Sequence, residues 1–292
     1  MGPFTLICSD LDGTLLDNSS RISLYSAEMI ARARAEGAIF CLTSGRPPAM
    51  MAAYQARLGL DSPLIANNGA IVWLPQAGVC LHRRPIPPAP ALDFLSFCQR
   101  SGLDWAVFTQ ESIYTPGSPA RLRRYGEYNA LAKAQGVQPI RVHTATVETA
   151  VQILLTQCGL RISVVFRDGR EELLLQEYFS QPRGLTHVHS TPESYDVLAP
   201  GVNKWDGILA VSRYYGIPEE RICVFGNDIN DMEMVARART AFAVSNAERP
   251  LLDLAPIVIE SNQDEGVAHA IRRYILGNIV PPPKNRQKGE RP

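Results

Sequence analysis

Short apolar runs, each followed by a helical pattern, stand at both ends of the chain, and this recurrence constrains the fold more than any single residue. Phe4–Ser9 is one such run, breaking into polar residues as strands buried on both faces of a parallel sheet do. Residues 22–37, ISLYSAEMIARARAEG, place apolar side chains near helical spacing and stop at Gly37. AIFCLTS then reads as a strand, RPPAMMAAYQARLGL as a helix and SPLIA as a third strand, which is the β-α-β-α-β rhythm of a doubly wound sheet. The rhythm resumes late in the chain. WDGILAVSRYYG reads as helix and RICVFG as strand, followed by DMEMVARAR, TAFAVS, PIVIE and a last helix through GVAHAIRRYIL.

Between the two ends the pattern changes to two-sided strands such as DWAVFTQ and LRISVVF beside helices such as ARLRRYGEYNALAKAQG. The fold class expected is therefore α/β, a doubly wound parallel-sheet core with an inserted α+β domain. The core takes residues 1–82 and 197–278, and the insert takes 83–196. Proline-rich Arg83–Leu92 suits the entry linker and Leu198–Gly201 the return. Residues 279–292, basic and proline-rich with little to bury, are expected to form a loose tail. A length of 292 residues accommodates two such units.

Lys and Arg number 29 and Asp and Glu 29, so no overall field draws the molecule to nucleic acid or to an anionic membrane. No stretch reaches the roughly 18 apolar residues of a membrane span. The chain enters FTLICSD without a leader-like segment, and its six cysteines lack a C-x-x-C spacing. A cytoplasmic protein with reduced thiols, acting on a small molecule as a monomer or homodimer, is the expectation. The five histidines also lack a metal-ligand spacing; His187 and His189 alternate on a strand pattern and read as solvent-facing.

Ligands of open parallel sheets bind beyond the carboxyl ends of the strands. Asp10 and Asp12 follow the first strand immediately, Ser44 ends the second, and Gly226–Asp231 follows a late one. A carboxylate at such an edge can hold a hard cation through oxygen or attack an electrophile. A second one, two residues on, can reach the same volume as an acid or base. Gly13 permits a sharp turn and Thr14 adds a hydroxyl. Taken alone, D-x-D after a strand is also a turn or helix-capping pattern.

DLDGTLLD at Asp10, TSGRP at Thr43, NNGA at Asn67, GVNK at Gly201 and GNDINDMEM at Gly226 resemble, in order and spacing, the motifs of the haloacid dehalogenase superfamily, specifically its Cof-type class IIB phosphatases. The resemblance runs from about residue 4 to 278. It implies a Rossmann-like core whose insert is a cap that selects the substrate. It also implies Mg²⁺-dependent hydrolysis of small organic phosphomonoesters, such as sugar phosphates, nucleotides or phosphorylated vitamins. Asp10 would be the nucleophile that becomes an aspartyl phosphate, and Asp12 the acid that protonates the leaving oxygen and later activates water. Ser44 and Lys204 complete the implied catalytic set, with Leu11, Gly13, Thr14, Gly45, Arg46, Asn68, Lys204 and Asn230 around phosphate or substrate. The implied cation ligands come from Asp10, the Asp12 carbonyl and the loop holding Asn227, Asp228, Asn230 and Asp231.

Two positions depart from the family pattern. Ser44 replaces a threonine and keeps the hydroxyl; Asn227 replaces an aspartate and removes a charge, although an amide oxygen still suits a hard cation. Arg46 is either a bidentate clamp on substrate oxygens or a partner for an acid, and Asn68 either a ligand contact or a turn residue. In the insert, Tyr114, Arg121, Arg124 and Tyr128 are candidates for reading a sugar or ring, set against the commoner use of such residues as a solvated helix face. Two further functions share the acids: a phosphomutase or phosphotransferase, and a phospho-ligand sensor without turnover. A dinucleotide-binding domain lacks its signature here, since D-L-D-G-T stands where G-x-G-x-x-G would.

Overall fold

The computed structural model describes residues 5–191, 193–277 and 279. In chain order the strands are β1 (Leu6–Asp10), β2 (Ile39–Thr43), β3 (Leu64–Ala66), β4 (Ile71–Leu74), β5 (Val79–Arg83), β6 (Asp104–Phe108) and β7 (Ser112–Thr115). They continue as β8 (Arg141–Thr144), β9 (Arg161–Val165), β10 (Thr186–Thr191), β11 (Ser194–Leu198), β12 (Ile222–Gly226), β13 (Thr240–Val244) and β14 (Ile257–Ile259). Two compact units divide the chain. One is drawn from both ends, up to Thr43 and from Ile208 onward; the other runs Ser44–Gly207.

In the first unit five strands lie in the order β14-β13-β12-β1-β2, and every pair is parallel. All five residues of β1, β12 and β13 are buried, as expected of strands covered on both faces. Phe225 and Phe242 stack at 4.8 Å between β12 and β13. The helix Leu24–Ala35 starts at Ser23, whose side chain accepts from the Ser26 N–H, and it buries Met29, Ile30 and Ala33. Arg32 and Arg34 lie in its last turn, where they complement the helix dipole.

In the second unit β3, β4 and β5 form an antiparallel meander. A six-stranded sheet has the order β10-β11-β9-β6-β7-β8, antiparallel except for β7 beside β8. Helices Pro88–Arg100, Val147–Gln157 and Gly169–Phe179 bury one face of it, packing Phe94, Leu95, Cys98, Leu154 and Leu175 on Trp105, Val107, Ile162, Val164 and Val197. The helix Pro119–Ala134 starts at Ser118 and carries Arg121, whose Nη2 donates to the carbonyls of Asp104 on β6 and Ser163 on β9.

Several local readings differ from the sequence expectation. The helix expected over 46–60 is a single turn at Pro48–Met50 followed by Ala52–Arg57, because Pro47 and Pro48 lack N–H groups and bias the residues before them away from helix. The third strand begins at Leu64 rather than at 62. Tyr114, Arg121 and Tyr128 are buried, not solvated; only Arg124 of that group is exposed. Tyr128 donates to the Ala49 carbonyl at 2.5 Å, and burial pushes its hydroxyl up to about 12. His187 is exposed and His189 half-buried, in keeping with the solvent-facing reading, and each also touches a ring. His187 stacks on Phe179 at 4.2 Å, His189 meets Tyr195 edge-on at 4.3 Å, and partial desolvation lowers the pKa of His187. The tail expected over 279–292 lies outside the described residues except for Ile279. No helix among the described residues is long and apolar enough to cross a membrane.

All six cysteines are free. Cys8 and Cys41 lie opposite each other on β1 and β2, and burial raises the pKa of both Cys8 and Cys223. A thiol that is neutral and out of solvent does not react. Ellman's reagent is expected to titrate Cys80 and Cys158 in the native protein, with Cys8, Cys41, Cys98 and Cys223 appearing only in denaturant; rapid reaction of all six under native conditions would contradict this packing.

Candidate active site

In the first unit, the register of β1 against β12 decides which loops meet. Ser9 pairs with Phe225, so Asp10 and Gly226 leave the sheet side by side. Asp10 is buried at 4 % exposure, whereas Asp12 is exposed. The chain then turns sharply: Gly13 has φ +75° and the Leu16 N–H returns to the Leu11 carbonyl at 2.9 Å. A Cβ on Gly13 would come within 2.5 Å of the Asn227 side chain, so glycine is needed for both the backbone angle and the close approach.

The Asn227 carboxamide points into a group of oxygens. With Oδ1 inward it accepts from Thr14 Oγ1 at 2.8 Å. With Nδ2 inward it donates to the Asp12 carbonyl at 2.9 Å, to Asp10 Oδ2 at 3.2 Å and to Thr14 Oγ1 at 2.8 Å. Either way one carboxylate oxygen, one carbonyl oxygen and the end of an amide converge within hydrogen-bonding distance. Among the described residues, no three His, Cys, Asp or Glu side chains gather as a metal site. The convergence on Asn227 mixes carboxylate, carbonyl and amide, which is the oxygen chemistry of hard cations.

Asp231 shapes this loop from inside. It is fully buried, and its Oδ2 accepts the N–H groups of Asn227 at 2.9 Å and Asp228 at 3.1 Å. Asp228 in turn caps the following turn by accepting from Ile229 at 2.6 Å. Gly226 leaves room for this carboxylate, since a Cβ there would lie 2.8 Å from Asp231 Oδ2. Asn230 is half-buried on the same turn. Two residues that sequence reasoning missed brace the acidic loop. Asn246 donates to the Gly13 carbonyl at 2.9 Å, and Asn262 donates to the Leu16 carbonyl at 2.8 Å while its own N–H meets Asn246 Oδ1. Asn246 lies two residues beyond the end of β13, at the same sheet edge as the acids, and that position is the signal that could have singled it out.

The second unit assembles the other predicted residues. The Ser44 carbonyl accepts from Asn68 N–H at 3.0 Å and the Arg46 carbonyl from Asn67 N–H at 2.9 Å, which pins the Ser44–Gly45–Arg46 loop to the turn after β3. Asn67 and Asn68 both have positive φ, the left-handed conformation that asparagine tolerates better than most residues. Asn68 therefore serves as the turn residue, and its side chain is also engaged, donating to Asp196 Oδ2 at 2.9 Å. The Ser44 hydroxyl accepts from the Arg46 N–H at 3.1 Å, and Arg46 packs over Tyr54. Gly69 brings the backbone of Asn203–Lys204 close, a Cβ there falling 2.1 Å from the Asn203 carbonyl. Lys204 is fully buried and opens the helix Lys204–Tyr215, which Asn203 caps by accepting from the Asp206 N–H at 3.0 Å. Ser44, Asn68 and Lys204 are thus neighbours around one turn.

A parallel core whose strand ends carry an acidic, oxygen-rich loop, together with an inserted α+β segment, defines a doubly wound α/β architecture with an insert. The sequence profile of the haloacid dehalogenase-like hydrolases matches residues 7–271, and the chain belongs to that family. Similar curated proteins include the phosphatase YwpJ of Bacillus subtilis, 24% identical with 92% of this chain and 99% of that protein covered. The pyridoxal phosphate phosphatase YbhA of Escherichia coli is also 24% identical, over 93% of this chain and 98% of its own. Among solved structures, a haloacid dehalogenase-like hydrolase from B. subtilis superposes with a TM-score of 0.79 at 24% identity, covering 93% of this chain and all of that one. The subclass IIB sugar phosphatase BT4131 gives 0.79 at 22% identity over 94% of this chain and 100% of its own. The expected α/β fold with a cap is the fold these structures share.

Replacing the fully buried Asp231 by alanine should lower stability by about 2 kcal/mol, because two part-buried backbone donors lose a charged acceptor. Asp231→Asn, which retains one acceptor oxygen, should cost less. Urea unfolding of the three proteins checks this, and an alanine variant as stable as the parent would exclude the bracing role.

Proposed function

We propose that this hydrolase releases inorganic phosphate from small organic phosphomonoesters through an aspartyl phosphate formed on Asp10. Family membership and the curated relatives make the chain a phosphoric monoester hydrolase acting on small phosphorylated compounds. The observation that carries the mechanism is the convergence of Asp10 Oδ2, the Asp12 carbonyl and the Asn227 amide at the end of β1.

A divalent cation fits these residues, and in this proposal it is Mg²⁺, held by Asp10, the Asp12 carbonyl and Asn227 Oδ1. Bound there, it would neutralise charge on the phosphoryl oxygens. Asp228 and Asn230, on the rim of the same turn, would supply outer contacts, and Asp231 would hold the loop in shape. Without neutralisation, Asp10 and a phosphate oxygen at contact distance repel by about 4 kcal/mol at an effective dielectric near 20. By the family motif it matches, Lys204 is assigned the offsetting charge. By theirs, the Ser44 hydroxyl and the Gly45–Arg46 backbone are assigned to the phosphoryl group, and the Leu11–Thr14 turn offers N–H groups near the nucleophile.

Asp10 Oδ attacks phosphorus as the ester oxygen leaves with a proton from Asp12. Asp12, exposed and two residues on, then removes a proton from the water that cleaves the acyl phosphate, restoring both carboxyl groups to their starting protonation. Burial suits Asp10 as nucleophile and access to solvent suits Asp12 as proton carrier. The presence of Asp12 favours turnover over passive sensing, and release of inorganic phosphate rather than a phosphorylated second product separates hydrolysis from phosphoryl transfer. Reduced, free cysteines are in keeping with the cytoplasm as the setting.

Phosphate release from a panel of small phosphoesters with Mg²⁺ should fall by at least about a thousandfold in Asp10→Asn with the fold retained, since the nucleophile is lost; equal rates in the two proteins would remove Asp10 from the chemistry. Asn227→Asp adds a charge beside the cation. Titration calorimetry with Mg²⁺ alone should show binding about tenfold tighter or more, and an unchanged affinity would place Asn227 outside the coordination sphere.

A further inference from the structure

Two buried arginines meet the same sheet of the second unit, Arg121 from the helix packed on it and Arg161 from within it, and they are used differently. Arg121 spends its donors within the protein. Nη2 reaches two carbonyls, Nη1 lies 3.4 Å from the Tyr125 hydroxyl, and Nε forms an ion pair with Asp104 at 3.0 Å, off the hydrogen-bond direction. Arg161, 8 % exposed at the start of β9, does not. Its Nη1 meets Asp196 Oδ1 at 2.5 Å, and its guanidinium lies over the Phe108 ring at 3.8 Å. Nε is buried with no acceptor among the described residues, and Asp196 engages Nη1 alone. The Nε and Nη2 donors together form the edge of a guanidinium that binds a carboxylate or phosphate side-on.

The position of this edge relates it to the Ser44 loop. Asp196 is fully buried, and its second oxygen accepts from Asn68 and lies 3.3 Å from where a Cβ on Gly45 would stand. One carboxylate therefore spans from the Ser44–Gly45–Arg46 backbone to the guanidinium. Neutralising Asp196 would require only a positive charge, which lysine supplies. Holding a flat fork against Phe108 with a buried N–H left unmet costs about 1 to 3 kcal/mol for the unmet group, and that expense makes sense where a ligand completes it.

We infer that Arg161 is a specificity-determining residue that reads a second oxyanion, a carboxylate or a further phosphate, on the substrate whose phosphoryl group lies at Ser44. The substrate class is then an anionic phosphomonoester, not a neutral sugar phosphate. Arg161 takes this role only if Ser44 and Arg46 hold the phosphoryl group as proposed above, and the test is chosen to separate the two.

The Asp10→Asn protein in Mg²⁺ buffer is titrated calorimetrically with two matched pairs: 3-phosphoglycerate against glycerol 3-phosphate, and fructose 1,6-bisphosphate against fructose 6-phosphate. In at least one pair the member with the second oxyanion should bind about tenfold tighter or more, and the pair that shows it distinguishes carboxylate from phosphate. Adding Arg161→Lys, which keeps a charge beside Asp196 but not the fork, should bring the ratio close to one without moving the melting temperature by more than a few degrees. If that variant does not fold, the double change Arg161→Gln with Asp196→Asn removes the buried pair together and serves the same comparison. Equal affinities within both pairs, or a preference that survives loss of the fork, would overturn the inference. A preference that depends on Arg161 in a protein releasing no phosphate would sink the proposed activity and leave this one standing.

Discussion

The pairing of β1 with β12 is the constraint on which the catalytic half of the molecule depends. These strands come from opposite ends of the sequence, and a shift of one residue in their register would turn the side chains at their ends to the other face. In the register observed, Ser9 faces Phe225, and the residues just beyond, Asp10 and Asn227, are carried to one edge. Burial of every residue in both strands fixes that register, because any slip would withdraw apolar side chains from the core at about 25 cal/mol per Å².

Around that pairing, polar residues are spent on shape. Gly13 lets the first loop turn, Gly226 makes room for Asp231, and Asp231 organises the second loop through backbone N–H groups. Asn246 and Asn262 brace the first loop from behind. The side chains left pointing at the oxygen cluster are few, and they are those suited to a hard cation. In the second unit a similar economy holds: Asn67, Asn68 and Gly69 adopt left-handed backbone angles so that one turn can carry the Ser44 loop and approach Lys204.

Much of this was legible in the sequence. The strand-then-acid pattern at Asp10, the strand end at Ser44 and the Gly226–Asp231 segment could each be located from hydrophobic periodicity alone, since continuous apolar runs mark buried parallel strands. Less legible were features that depend on partners distant in sequence. Arg121 and Tyr128 sit on a helix whose apolar pattern is weak, and their burial comes from carbonyls of other segments, Asp104, Ser163 and Ala49, that no local pattern announces. The histidines at 187 and 189 alternate like solvent-facing residues, and His187 is exposed; what that alternation does not announce is their ring contacts with Phe179 and Tyr195. Proline broke the second helix earlier than its apolar spacing implied. Asp196 and Arg161 were invisible for the same reason: an acid and a base on strands that are neighbours only once the sheet is folded.

The internal hold of Asp231 on its loop has an evolutionary corollary. Because the backbone from Asn227 to Asp228 is shaped by a carboxylate four positions downstream, the fold of that segment does not depend on which side chain residue 227 carries. An acid can be exchanged for an amide there at little structural penalty, so the electrostatic strength of the cluster is free to drift or be tuned by selection while its scaffold stays the same.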